Sequence, residues 1–153
     1  MKLAEALILR SDLQKRIEQI KNRLRNNVMV QEGDEPSEDP EVLLKEFENC
    51  QLELTDIIKR INKTNNETMF NEKWTLADAL AERDGLWEKR LVLSHVAEEA
   101  SIKQDRYSRT EIRYISTVNV KELQKEIDKL SKEYRELDTK IQGLNWTIEL
   151  INI

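Results

Sequence analysis

From Val120 to Ile151 one apolar position recurs every three or four residues without a break. The ten positions are Val120, Leu123, Ile127, Leu130, Tyr134, Leu137, Ile141, Leu144, Ile148 and Ile151. Strict alternation of threes and fours is the heptad pattern of a coiled-coil helix. At about 1.5 Å per residue such a helix approaches roughly 45–50 Å, and its stripe needs another helix to cover it. Asn119 can cap it, with Glu122 three residues later and Val118 placed to staple onto Leu123. Gly143 lies off the seam, which suggests a close backbone approach or a bend. Leu144, Trp146, Ile148 and Leu150 also alternate, so the last residues have a route out of the helix.

Composition agrees with long helices. Charged residues are 36% and aromatics 5%, with only 3 Gly and 2 Pro in 153 residues. Sandwiches and barrels need more turn formers than that. The length suits one domain over 1–153. A single Cys excludes an internal disulfide, and a single His excludes any site built on two histidines. With a net charge of -5 the whole chain is no polycation for nucleic acid. The apolar run Leu3–Leu9 is too short for a signal peptide and ends in Arg10, Ser11 and Asp12. The expectation is a soluble cytoplasmic protein with no membrane span.

Three further helices are readable. The first runs from about Leu3 to Val28, with Ala6, Leu13, Ile17, Ile20 and Leu24 on its seam and Arg10 interrupting it. Residues 31–39 form an acidic linker broken by Gly33 and Pro36. Asp39 caps the second helix with Pro40 at its first position, and Leu43, Phe47, Cys50, Leu54, Ile57 and Ile61 make its stripe. It should end near Asn65 and Asn66, where Asn62 also stands, since Asn favours helix ends over interiors. Thr75 and Asp78 open the third helix as a capping pair. That helix carries two stripes, Leu76, Leu80, Trp87, Leu91 and Ala79, Leu86, Leu93, Ala97, Ala100, so it should touch neighbours on two sides. The helical pattern breaks over an irregular loop, 102–118, and Glu111–Val120 alternates as an extended, β-like stretch. The fold class expected is all-α: a long antiparallel helical bundle or coiled coil with a short extended excursion between the last two helices.

Chemistry has few footholds. His95 follows Ser94 directly, which fits neither a catalytic triad nor a two-histidine metal site. Isolated Gly33, Gly85 and Gly143 make no phosphate loop. We therefore assign no catalytic residue, no metal ligand and no cofactor. One constellation stands out: Lys103, Arg106, Tyr107, Arg109, Arg113 and Tyr114. Its arginine forks and tyrosine rings suit a small anionic ligand. The plainer alternative is that these arginines pair with carboxylates of a neighbouring helix or subunit. A second basic run, Lys15, Arg16, Lys21, Arg23 and Arg25, reads as a solvated helix face. Both chain ends are apolar, which argues for a homo-oligomer, by default a dimer or a dimer-based assembly.

Four segments together resemble a known family: MKLAEALILRSDLQKRI, QEGDEPSEDP, QDRYSRTEIRYISTVNV and LNWTIEL. They are similar to small bacterial proteins of unassigned biochemical role often labelled septicolysin. The resemblance implies an all-helical, soluble bacterial protein. The label itself implies a pore-forming cytolysin. Neither supplies a catalytic residue. From the residues, the function expected is non-enzymatic and based on structure or interaction. The cytolysin and an anion binder at the 103–114 loop are the alternatives.

Overall fold

The structure, a computed structural model, describes residues 1–101 and 112–153. The described chain is all-α and built from four helices: α1 (Leu3–Asn27), α2 (Pro40–Glu67), α3 (Leu76–Ala100) and α4 (Val120–Thr147). No β-strand occurs among the described residues. An isolated bridge pairs Lys2 with Glu149. The helices belong to two compact units, Met1–Met69 with Gln142–Ile153, and Phe70–Ile141.

Each helix begins where its capping chemistry places it. The Glu5 carboxylate accepts the Lys2 backbone N–H at 2.6 Å ahead of α1. Asp39 accepts the N–H of Glu41 at 2.9 Å, with Pro40 inside the first turn of α2. Thr75 and Asp78 close a reciprocal box at α3. Asn119 accepts the N–H of Glu122 at 3.1 Å at the start of α4. Such caps satisfy amide donors that the first helical turn leaves over.

In the first unit α1 and α2 form an antiparallel pair, with Arg16 meeting Glu46 and Arg23 meeting Glu38. Its core is Leu3, Ala6, Leu13, Ile17 and Ile20 from α1 and Leu43, Cys50, Leu54, Ile57 and Ile61 from α2. Phe47 is half-buried. Helix α2 carries on through Asn62, Asn65 and Asn66 to Glu67, so these asparagines fall inside its last two turns.

The tail after α4 is stitched into this unit. Leu3 donates its N–H to Ile148 O at 2.9 Å, and Leu150 donates to Met1 O at 2.8 Å. Ile151 N–H donates to the Thr64 hydroxyl at 3.0 Å. Arg60 reaches Ile151 O and Asn152 Oδ1. The seam written through Ile151 therefore leaves the helix after Thr147: these backbone groups find partners on α1 and α2 in place of a further helical turn.

In the second unit α3 and α4 also run antiparallel. Arg83 meets Asp138 at 3.0 Å, and Arg90 donates to Ser131 at 2.6 Å. The Trp87 and Tyr134 rings lie 5.2 Å apart, and the Arg90 guanidinium sits 5.1 Å over the Trp87 ring. Ile127, Leu130 and Ile141 of α4 are buried, as are Leu76, Ala79 and Ala97 of α3. The stretch expected to be extended is described from Ile112 onward. There it forms no ladder and bends at Thr117 and Val118 before Asn119 caps α4.

Candidate functional site

Helix α3 is where the architecture leaves chemistry uncovered. One of its faces meets α4 through Arg83, Trp87 and Arg90. The opposite flank keeps Val92 51% and Val96 37% exposed, while Leu86, Leu93 and Ala100 are half-buried. These are core-type residues that the described chain covers only in part. Of the two stripes expected on α3, Leu76, Ala79 and Ala97 are buried, Leu80, Leu86, Leu91, Leu93 and Ala100 are half-buried and Trp87 is exposed; Val92 and Val96 belong to neither stripe.

Beside that flank the chain returns toward α4. His95, Val96, Glu99 and Ala100 line a shallow concavity with Ile115, Ser116, Thr117 and Val118. Its wall is braced locally: the Ser116 hydroxyl donates to Val118 O at 2.8 Å and accepts the Val118 N–H at 3.3 Å. Tyr114 is 85% and Ile115 82% exposed.

Of the six residues proposed for an anion site, Arg113 and Tyr114 are described, and both are exposed in this irregular stretch. Lys103, Arg106, Tyr107 and Arg109 lie outside the described residues. His95 is exposed on α3. Among the described residues no three His, Cys, Asp or Glu side chains stand close enough to hold a metal ion. Among them also, no helix is long and apolar enough to cross a membrane.

The basic run on α1 is exposed at Lys15, Arg16, Lys21 and Arg25 and half-buried at Arg23, and it carries ion pairs. Arg16 donates to Glu46 at 3.1 Å. Arg23 forks onto Glu38, its Nε donating to Oε2 at 3.0 Å. Lys21 pairs with Glu18 at 2.8 Å, and Arg25 reaches Asn22. The Arg23 hydrogen bond holds the Glu38 carboxyl below its ordinary value, and the hydrogen bond to Glu46 raises Arg16. Partial burial works to lower Arg83, yet its bonds to Asp138 and Asp84 outweigh this and leave it raised. Asn27 completes the α1–linker joint: it is buried, donates to Arg23 O at 2.7 Å and accepts the Glu38 N–H at 3.0 Å. The acidic linker is therefore solvent-facing except at Glu38, which is tied down at the foot of α1.

Residues 10–150 match the model of a family of unknown function, DUF6847. A solved structure, described as a functionally unknown conserved protein from Corynebacterium diphtheriae, is 46% identical, covers 99% of each chain and superposes with a TM-score of 0.93. No curated protein matches the chain.

Proposed function

We propose that this chain, which belongs to the DUF6847 family of unknown function, is a non-enzymatic helical protein that acts by self-assembly, with α3 as its contact surface. The observation that carries this reading is the outer flank of α3. Val92 and Val96, one helical turn apart, keep 51% and 37% of their surface exposed. Exposed apolar stripes rimmed by charge mark contact sites on soluble proteins. Copies of one sequence most often close such a contact by two-fold symmetry.

In this reading the protein stays in the cytoplasm and needs no cofactor. It leaves nucleic acid alone, because much of the basic charge on α1 is spent on Glu46, Glu38 and Glu18. The test is absolute mass by light scattering on a sizing column, over a concentration series at physiological salt. A mass of twice the chain is expected. A single-chain mass throughout the series would overturn the proposal. Liposome dye release separates it from a pore-former: the folded protein is expected to release none, and release would transfer the apolar flank of α3 to a membrane.

A further inference from the structure

The exposed flank of α3 is self-complementary in its charges as well as apolar. Lys89, Val92, Val96 and Glu99 follow one another at spacings of three, four and three, a pattern that is the same in either direction. On a helix these four fall within an arc of roughly 80° and span about 15 Å along the axis. All four are exposed. Among the described residues Lys89 pairs with Glu126 at 3.9 Å, with Lys89 62% and Glu126 40% exposed.

We infer that two copies of this chain pair α3 against α3 in antiparallel register, with the two-fold axis level with Ser94. In that register Val92 of each copy meets Val96 of the other, and Lys89 of each meets Glu99 of the other. Positive faces negative twice, and apolar faces apolar twice. A parallel pairing would set lysine against lysine and glutamate against glutamate. Like charges placed together at a contact are strongly disfavoured, so the sign pattern selects the antiparallel arrangement. Four residues are too few for a standard interface of about 800 Å² per partner. The neighbouring Leu86, Leu93, Ile115 and Val118, all half-buried or exposed, extend the same surface.

The outer face of α2 is the nearest rival. Glu48, Leu52, Thr55 and Lys59 there also reverse sign along the helix, and they line a concavity. Paired with itself, that face would set each leucine against a threonine hydroxyl. Helix α3 sets valine against valine with Leu86, Leu93, Ile115 and Val118 nearby, against Phe47 beside Leu52 on α2, so the burial term favours α3.

This inference rests on the proposed self-assembly and specifies its geometry. The experiment is a charge-swap cycle read by dimer dissociation constant, with circular dichroism confirming that each variant is folded. Lys89→Glu and Glu99→Lys should each weaken the dimer by about ten- to hundredfold, because each reversal acts twice across the axis. The double variant restores opposite charges at both contacts and should return to within about threefold of the parent. Zero-length carbodiimide cross-linking of the parent protein should join Lys89 to Glu99. The helix holds these two about 15 Å apart within one chain, so that product has to be intermolecular. A parent protein of single-chain mass would remove self-assembly itself. A dimer indifferent to both reversals would leave self-assembly standing and overturn the α3 contact, and its sensitivity to Glu48→Lys would then transfer the interface to α2. Reversals that weaken the dimer without recovery in the double variant would likewise overturn the Lys89–Glu99 pairing.

Discussion

Thr64 carries a prediction that separates two ways a buried residue can matter. Its side chain is fully buried, 0% exposed, near the end of α2. The hydroxyl donates to Arg60 O at 2.8 Å and accepts the Ile151 N–H at 3.0 Å. Thr64→Val keeps the shape and removes the acceptor. The Ile151 amide, half-buried in the tail, then loses its partner, which costs about 1–3 kcal/mol. The added methyl returns up to about 0.8 kcal/mol of burial, so the net loss should be about 1–2 kcal/mol. Thr64→Ser keeps the hydroxyl and deletes one methyl, costing about 0.5–1.5 kcal/mol by the transfer-plus-cavity argument. The two variants should therefore look alike in a urea titration. They should differ in native-state hydrogen exchange. With Thr64→Val the opening free energy of the Ile151 amide falls by about 1–2 kcal/mol more than that of core α2 amides, a loss of protection of about 5- to 30-fold. With Thr64→Ser it should follow the core amides. Equal protection of Ile151 in the two variants would refute the idea that the Thr64 hydroxyl pins the tail.

The remaining predictions use local geometry. Gly143→Ala should raise stability by about 0.5–1 kcal/mol by thermal or urea unfolding, since a Cβ there meets no atom within 4 Å and the residue is inside α4. Gly33→Ala should lower stability by about 1 kcal/mol, because Gly33 sits at φ 92 in the linker turn; Gly33→Asn should cost less. Glu38 and Glu149 should make stability fall in acid. Arg23 holds the Glu38 carboxyl below the ordinary 4.5, and Lys2 together with the terminal ammonium does the same for Glu149. A carboxyl lowered in the folded state stabilises above its unfolded value, and that contribution disappears as pH falls through the folded one. Urea midpoints should therefore drop below about pH 4.5, and Glu38→Gln with Glu149→Gln should flatten the drop; salt should shrink the effect, because Glu149 is exposed and Glu38 only half-buried.

Much of the fold is legible in the sequence for an identifiable reason. Caps are short-range: Asp39 with Pro40, Thr75 with Asp78 and Asn119 with Glu122 act within a turn, so spacing alone locates them. The buried polar residues are harder. Asn27, Thr64 and Asn145 are polar and near helix ends, which reads as surface. Yet each continues its seam by three or four residues, after Leu24, Ile61 and Ile141 respectively. That register was the available signal. What it cannot show is the acceptor or donor arriving from far along the chain, Glu38 for Asn27 and Ile151 for Thr64. The same distance problem hides the end of α4. Its heptad continues to Ile151, but the tail residues are worth more bonded to Lys2, Leu3 and Thr64 than as another helical turn. The alternation of Leu144, Trp146, Ile148 and Leu150 hinted at this exit without naming its partner.

The β-branched stretch before α4 and the exposed valines of α3 pose one question in two forms. A sequence pattern states that a face is to be covered, and it leaves open whether the cover comes from the same chain. Ile112 to Val118 has strand-like composition, but a strand exists only when a second edge accepts its amides. The described residues form no ladder there, and Tyr114 and Ile115 stay exposed. Val92 and Val96 are in the same position, one helix face away. Fully burying a valine is worth about 1.5–3 kcal/mol, so completing the burial of Val92, 51% exposed, and Val96, 37% exposed, is worth about 1–3 kcal/mol in all. Two valines left partly in water beside an exposed isoleucine represent stabilisation that a single chain does not collect. The reversed charges at Lys89 and Glu99 make a second copy of the same helix able to collect it.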